Sequence, residues 1–254
     1  MLKYLLAPLA AAFIFLVAFG LAQPELGYQT KEAAYSGDAA AQMELARMYY
    51  EGNPLDQSFD QSVFWLKKSA EQDYPDAQNT LGRFYLEGHF VEQNTEKGLA
   101  LIQAAADRNQ PQAQAFLAYA YGRGLGVERD ASRFLLWTNR AAESGDAQSQ
   151  FSMGLLSLTG TMVAKDLAAG KMWFEKAANQ GHLEAQVTLG EMLMQGVGGK
   201  PDLVEACKWF AIAGTRGNQK GNAYLMAIVK DMTREQMDEA AARANAWLDE
   251  RGLE

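Results

Sequence analysis

The chain has 254 residues, 48% of them hydrophobic and 21% charged, which is enough to bury a core and excludes disorder as its main state. Its formal net charge of −8 argues against nucleic acid and against anionic membrane surfaces as partners. Its single cysteine, Cys207, excludes an internal disulfide, so the core must hold the fold alone.

The first element is an export segment. Lys3 is the only charge before Glu25, and a long apolar run follows it. Gly20-Leu21-Ala22 then places small residues at the −3 and −1 positions of a signal-peptidase site. The pattern predicts a signal peptide over residues 1–22, cleaved after Ala22. The run is also just long enough to span a bilayer, so an uncleaved membrane anchor is the alternative. Either way the rest of the chain is expected outside the cytoplasm, with any membrane contact made only through residues 1–22. Residues 23–37 read as a linker and an N-terminal capping helix.

From residue 38 the chain repeats itself. Gly52, Gly88, Gly124, Gly160 and Gly196 recur every 36 residues, a period that signals stacked supersecondary units. Gln42, Gln78, Gln114, Gln150 and Gln186 keep the same step, with Asn222 as a sixth member. So do Leu45, Leu81, Leu117, Met153, Leu189 and Leu225, followed by the small column Ala46, Gly82, Ala118, Gly154 and Gly190. Trp65, Leu101, Trp137, Trp173 and Trp209 form one more.

Each unit reads as two helices. Leu81, Gly82 and Tyr85 have helical spacing, and the recurring glycine ends the first helix in the left-handed conformation that glycine adopts most cheaply. After a short turn, Ser58, Asn94, Asp130, Asp166 or Asp202 caps the second helix. Ser58 with Gln61, and Asp202 with Glu205, have capping-box spacing. The second helix carries the Trp column and stops at Asp73, Asn109, Gly145, Gly181 or Gly217, residues that tolerate left-handed backbone. Pro75 and Pro111 fall at the first position of the next helix, where a missing N–H costs nothing. The five units are 38–73, 74–109, 110–145, 146–181 and 182–217. Residues 218–254 are a degenerate sixth repeat and a C-terminal capping helix, opened by a capping box at Thr233 and Gln236. Stacked pairs bury what no single pair can, and a buried large aromatic contributes about 3 kcal/mol. The expected fold is all-α: a right-handed α-α superhelix, a solenoid of helix-turn-helix repeats.

The segments "AQNTLGRFYLEG", "AYGRGLGVERD" and "KMWFEKAANQGHLEAQVTLGEML" resemble the Sel-one-like repeat, a relative of the tetratricopeptide repeat. Leu101 in place of Trp, and Ser157 where Tyr is usual, depart from its pattern. Exported bacterial proteins of this kind act as scaffolds or regulators in the cell envelope. The resemblance therefore implies a periplasmic monomer that binds another protein or peptide, including the external domain of a membrane protein. It leaves two alternatives: a polysaccharide- or peptidoglycan-associated scaffold, and an enzyme acting on β-lactams.

The residues themselves assemble no chemistry. His89 lies in a turn and His182 at a helix start, in different units with no shared motif. "GVGGKPD" fills the corner slot of its unit and follows no strand, so Lys200 does not make a phosphate loop. No nucleophile, base and oxyanion donor come together, and neither an enzyme, a cofactor nor a metal is expected. What remains is a stripe on the first helices, which tetratricopeptide-like stacking places on the concave face. Its candidate partner-binding residues are Arg47, Tyr50, Asn79, Arg83, Phe116, Tyr119, Phe151, Leu155, Leu158 and Met194. The arginines are expected to pair with carboxylates of the partner, and Phe116, Tyr119 and Phe151 to take its apolar side chains.

Overall fold

The computed structural model describes residues 27–253, so the expected signal peptide lies outside the described residues. Among these, the secondary structure is helical throughout, with no strand. Helix α1 covers residues 27–35. It is followed by α2 (Ala39–Glu51), α3 (Phe59–Glu71), α4 (Pro75–Glu87), α5 (Thr95–Asp107), α6 (Pro111–Arg123) and α7 (Ala131–Glu143). Then come α8 (Ala147–Thr159), α9 (Leu167–Asn179), α10 (Leu183–Gln195), α11 (Leu203–Thr215), α12 (Gln219–Ile228) and α13 (Arg234–Asp249). No described helix is long and apolar enough to cross a membrane. The chain divides into two compact units, one ending at Gln114 and the other beginning at Ala115.

The helix ends follow the sequence closely. Gly52, Gly88, Gly124, Gly160 and Gly196 all have φ between 69° and 77°, and the second helices end on Asp73, Asn109, Gly145, Gly181 and Gly217, also at positive φ. The side chains of Ser58, Asn94, Asp130, Asp166 and Asp202 each accept a hydrogen bond from the first turn of the helix they open. Thr233 and Gln236 form a complete capping box.

The capping boxes expected at Ser58 and Asp202 are only half made. Their backbone N–H groups donate to Tyr49 O and Leu193 O, both at 2.9 Å. Asn94, Asp130 and Asp166 make the same bond to Tyr85, Tyr121 and Ser157. The cap N–H thus ties the second helix back to the end of the first, and Gln61 and Glu205 find no donor there. Glu205 pairs with Lys208 and Arg243 instead, at 2.7 and 3.0 Å.

The small column sets how closely paired helices approach. A methyl group on Gly82 of α4 would lie 2.7 Å from Ile102 Cγ1 and 2.8 Å from Gly98 O, both on α5. Only a bare Cα fits so near a neighbouring backbone. Around this seam, the first unit buries Leu45, Leu66, Trp65, Leu81 and Tyr85 in one core. The second unit has its largest core around Phe174, Leu189, Trp209, Phe210 and Trp247. All five tryptophans are buried. The Trp65 ring meets Tyr35 of α1 edge-on at 4.9 Å, and Trp209 of α11 meets Trp247 of α13 at 6.0 Å. Cations cover the indoles: Arg140 on Trp137, Lys176 on Trp173, Lys208 on Trp209 and Arg251 on Trp247.

The glutamine column stitches each first helix to the second helix before it. Gln42, Gln114, Gln150 and Gln186 donate Nε2 to the carbonyls of Ala34, Ala106, Ala142 and Ala178, at 3.0–3.1 Å. Asn222 makes the same contact with Gly214 at 3.5 Å. These carbonyls lie at helix C-termini, where the intrahelical ladder has run out of donors. Gln78 is the exception and donates to Asp73 Oδ1 at 2.9 Å.

Candidate functional site

In the first unit, four of the expected binding residues meet in one cleft of about 560 Å3. Arg47 and Tyr50 reach it from α2, and Asn79 and Arg83 from α4. Ser62 and Leu66 of α3 contribute to its lining, as do Phe84 and Phe90. Asn79 is 8% exposed, and among the described residues its buried Oδ1 has no hydrogen-bond partner, as holds also for Oε1 of Gln78, Gln114 and Gln186. An unpaired buried polar group carries a desolvation cost.

An aromatic cluster stands beside this amide. Phe90 stacks on Phe59 at 4.3 Å and meets Phe84 edge-on at 5.4 Å, while Tyr50 lies 6.0 Å from Phe90. Phe90 adopts φ 59°, left-handed backbone that a bulky residue rarely takes. It nevertheless remains exposed. Strain of this kind persists where the surroundings enforce it and clusters at functional positions.

The arginines are less available than the sequence suggests. The Arg47 guanidinium binds Glu44, three residues before it, and Glu51 at 2.6 Å, four residues after. These bonds raise its pKa, and the Arg47 hydrogen bond lowers that of Glu44. Arg83 lies 3.7 Å from Glu87, which also faces His89 Nδ1 at 3.0 Å. Both arginines are therefore engaged by carboxylates of their own helices.

The six other candidates lie in the second unit and separate by exposure. Tyr119 and Leu155 are exposed, at 55% and 39%. Phe151, Leu158 and Met194 pack against the core. The Phe151 ring stacks on His182 at 4.7 Å, which fixes it between α8 and the start of α10. Phe116 is half-buried on α6. Tyr119 borders a separate cleft of about 650 Å3 with Arg123, Arg129 and Met162. Met162 holds φ 65° and is exposed, like Phe90.

The sequence reading passed over Phe90 and Met162, although a signal was present. Two residues after the corner glycine stand Pro54, Phe90, Gly126, Met162 and Gly198. The glycines take positive φ freely; Phe90 and Met162 take it against their side chains. An apolar residue in a column that wants glycine was the clue.

No group of three or more His, Cys, Asp or Glu that could hold a metal ion occurs among the described residues. The Cys207 thiol is buried in α11, and burial raises its pKa, away from the reactive thiolate. His182 caps α10, its Nδ1 accepting from Ala185 N at 3.2 Å, and burial lowers its pKa.

The Sel1 repeat matches residues 39–74, 75–110, 111–146, 147–182 and 183–218. The chain belongs to the Sel1 repeat family. Among solved structures it is similar to a Sel1 repeat protein from Oxalobacter formigenes, with 31% identity and a TM-score of 0.73 over 80% of this chain and 58% of that one. It is also similar to c5321, a protective antigen of uropathogenic Escherichia coli with an SLR fold: 28% identity, TM-score 0.56, 88% of this chain and 56% of that one. The chain thus spans somewhat more than half the length of each. No curated protein matches it. Sel1 repeat proteins generally mediate protein–protein interaction, and their fold is typically non-catalytic.

Proposed function

We propose that this Sel1 repeat chain is a non-catalytic binding protein of the bacterial cell envelope, exported through residues 1–22, which holds a partner protein in the clefts of its first helices. One observation carries the reading: Tyr50, Asn79, Phe84 and Phe90 gather with Arg47 and Arg83 in one aromatic-walled cleft. A peptide segment offers what such a cleft can take, an apolar side chain for its rings and a polar backbone for its rim. Tyr50, Phe84 and Phe90 supply the apolar contact; Arg47 and Arg83, held by their own carboxylates, form a charged rim. The acidic composition of the chain favours partners other than nucleic acid. With every tryptophan in the core, a glycan-binding platform would lack its best residue.

The test is photocrosslinking in the native cell, with a benzophenone amino acid at position 50. A discrete crosslinked protein is expected, lost in the Asn79→Leu and Phe90→Gly variants. A crosslink pattern unchanged by both substitutions would remove the cleft from the binding function. Fractionation of the same cells checks the location; recovery of the chain in the cytoplasm would defeat the envelope assignment.

A further inference from the structure

The second unit carries a cleft at which three repeat columns change character together. In the first two repeats, the stripe on the first helix is closed by its own ion pairs, Arg47 with Glu51 and Arg83 with Glu87. One period later the same positions hold Tyr119 and Arg123. The carboxylate has become a guanidinium and its partner a tyrosine. Among the described residues Arg123 makes no ion pair, and Tyr119 is 55% exposed.

The second change is at the corner. Gln57 and Gln93 lie over the corner glycines and donate Nε2 to Tyr50 O and Leu86 O, both at 2.8 Å. In the third repeat Arg129 takes this place and makes the equivalent bond through Nε, to Gly122 O at 3.2 Å. The structural bond thus uses one nitrogen of the guanidinium. The two terminal nitrogens have no partner among the described residues. The third change is Met162, an exposed thioether held at φ 65° where Gly126 and Gly198 stand in neighbouring repeats. All three changes meet in the cleft of about 650 Å3.

We infer that this cleft is a docking site for an acidic-apolar segment of a partner protein, in which an Asp or Glu side chain lies within a residue or two of a Leu, Met or aromatic residue. The inference rests on the protein-binding reading above and names the chemistry of the bound segment. Charge complementarity selects it. Arg123 and Arg129 line the cleft against Asp130, while Arg133 and Glu128 lie together just outside it. Asp130 is committed to capping α7 through Arg133 N at 2.9 Å, and Arg133 donates to Tyr121 Oη at 2.9 Å. Arg123 and Arg129 are thus two guanidinium groups without a carboxylate partner among the described residues, beside Tyr119, Phe134 and Met162. A carboxylate would gain charge-assisted bonds from them while its apolar neighbour covers the rings. The overall negative charge of the chain does not cancel this preference, because charges beyond about 8 Å are largely screened at physiological ionic strength.

The experiment uses an array of N-acetylated, C-amidated peptides, so that any carboxylate selected is a side chain. Acidic-apolar sequences are expected to bind. With the best of them, measured by fluorescence anisotropy, Arg129→Gln is expected to weaken binding about ten-fold or more at unchanged melting temperature. Gln57 and Gln93 already show that glutamine can make the structural bond. Arg123→Glu, which restores the residue of the first two repeats, is expected to lose at least as much. Met162→Gly is expected to weaken binding while raising the melting temperature. An array that selects no acidic position overturns the inference, as does an Arg129→Gln variant that binds within about two-fold of the parent. Either failure can coincide with a sound crosslink at position 50, so the cleft assignment and the broader protein-binding reading fail separately.

Discussion

Gln186 of α10 donates its side-chain amide to the carbonyl of Ala178 in α9, at 3.1 Å. The same carbonyl accepts Gly181 N at 2.9 Å, so the glutamine takes its second lone pair. The Leu, small and Trp columns select mainly for size; this one needs an amide on an arm of defined length. Gln186→Leu keeps the volume and removes the donor. It also removes Oε1, which is buried without a partner among the described residues, so the lost bond, worth about 1 kcal/mol, is partly offset and a urea midpoint lowered by less than that, with an unchanged slope, is expected.

Gly82→Ala sets two effects against each other. Alanine favours a helix over glycine by about 1 kcal/mol. The added methyl would lie 2.8 Å from the carbonyl oxygen of Gly98, which belongs to the neighbouring backbone and cannot rotate aside. Overpacking of this kind costs about 1–3 kcal/mol, so net destabilisation is expected. Ala46 and Ala118 hold the same column elsewhere, so the limit varies along it: Gly98 O sets it at Gly82, and at Gly154 and Gly190 an added methyl would lie 2.6 and 2.5 Å from the Phe174 and Phe210 rings. Thermal melts of Gly82→Ala beside Ala118→Gly would check it.

His182 gives the fold a pH dependence of known sign. Its Nδ1 accepts from Ala185 N and its Nε2 lies 3.2 Å from Gln148 Oε1, which suits the neutral ring with the proton on Nε2. Burial lowers its pKa despite the opposing pull of Glu184 and Asp146. The unfolded state therefore binds the proton more readily. The contribution of His182 is fully present above the unfolded pKa of about 6.5 and is lost as pH falls from there toward the lowered folded value. In His182→Asn, whose side chain can cap as Asn218 caps α12, this loss should disappear. Urea midpoints of both forms at pH 7.5 and pH 5.5 measure the difference.

The helix pairs were legible because each corner is fixed locally. A glycine at the end of one helix and an Asp, Asn or Ser at the start of the next suffice to place Gly124 and Asp130 without any tertiary knowledge. What the sequence could not show is where those caps spend their backbone donor. The capping box at Asp202 fails because Asp202 N is taken by Leu193 O, and that bond exists only once the two helices are folded together. The clefts were half legible for a related reason. Arg47, Tyr50, Asn79 and Arg83 share a face by helical spacing. Whether Arg47 is free depends on rotamers, which put it between Glu44 and Glu51. Phe151 reads as a surface aromatic by column, yet its ring is held by His182, which follows it by 31 positions in the chain.

Asn79 offers a test of whether the first cleft holds stability in reserve for binding. Among the described residues its Oδ1 is buried without a partner, a condition that costs about 1–3 kcal/mol. Leucine has nearly the same shape and no polar atom to desolvate. Asn79→Leu is therefore expected to raise the urea midpoint by about 1 kcal/mol of stability, the opposite of what replacing a buried residue usually does. The same substitution should weaken partner capture, because it takes the amide out of the cleft lining. A rise in stability with loss of capture is the signature of a polar group kept for a ligand. A fall in stability would mean that the amide is satisfied within the free protein, and the argument built on its vacant acceptor would end there.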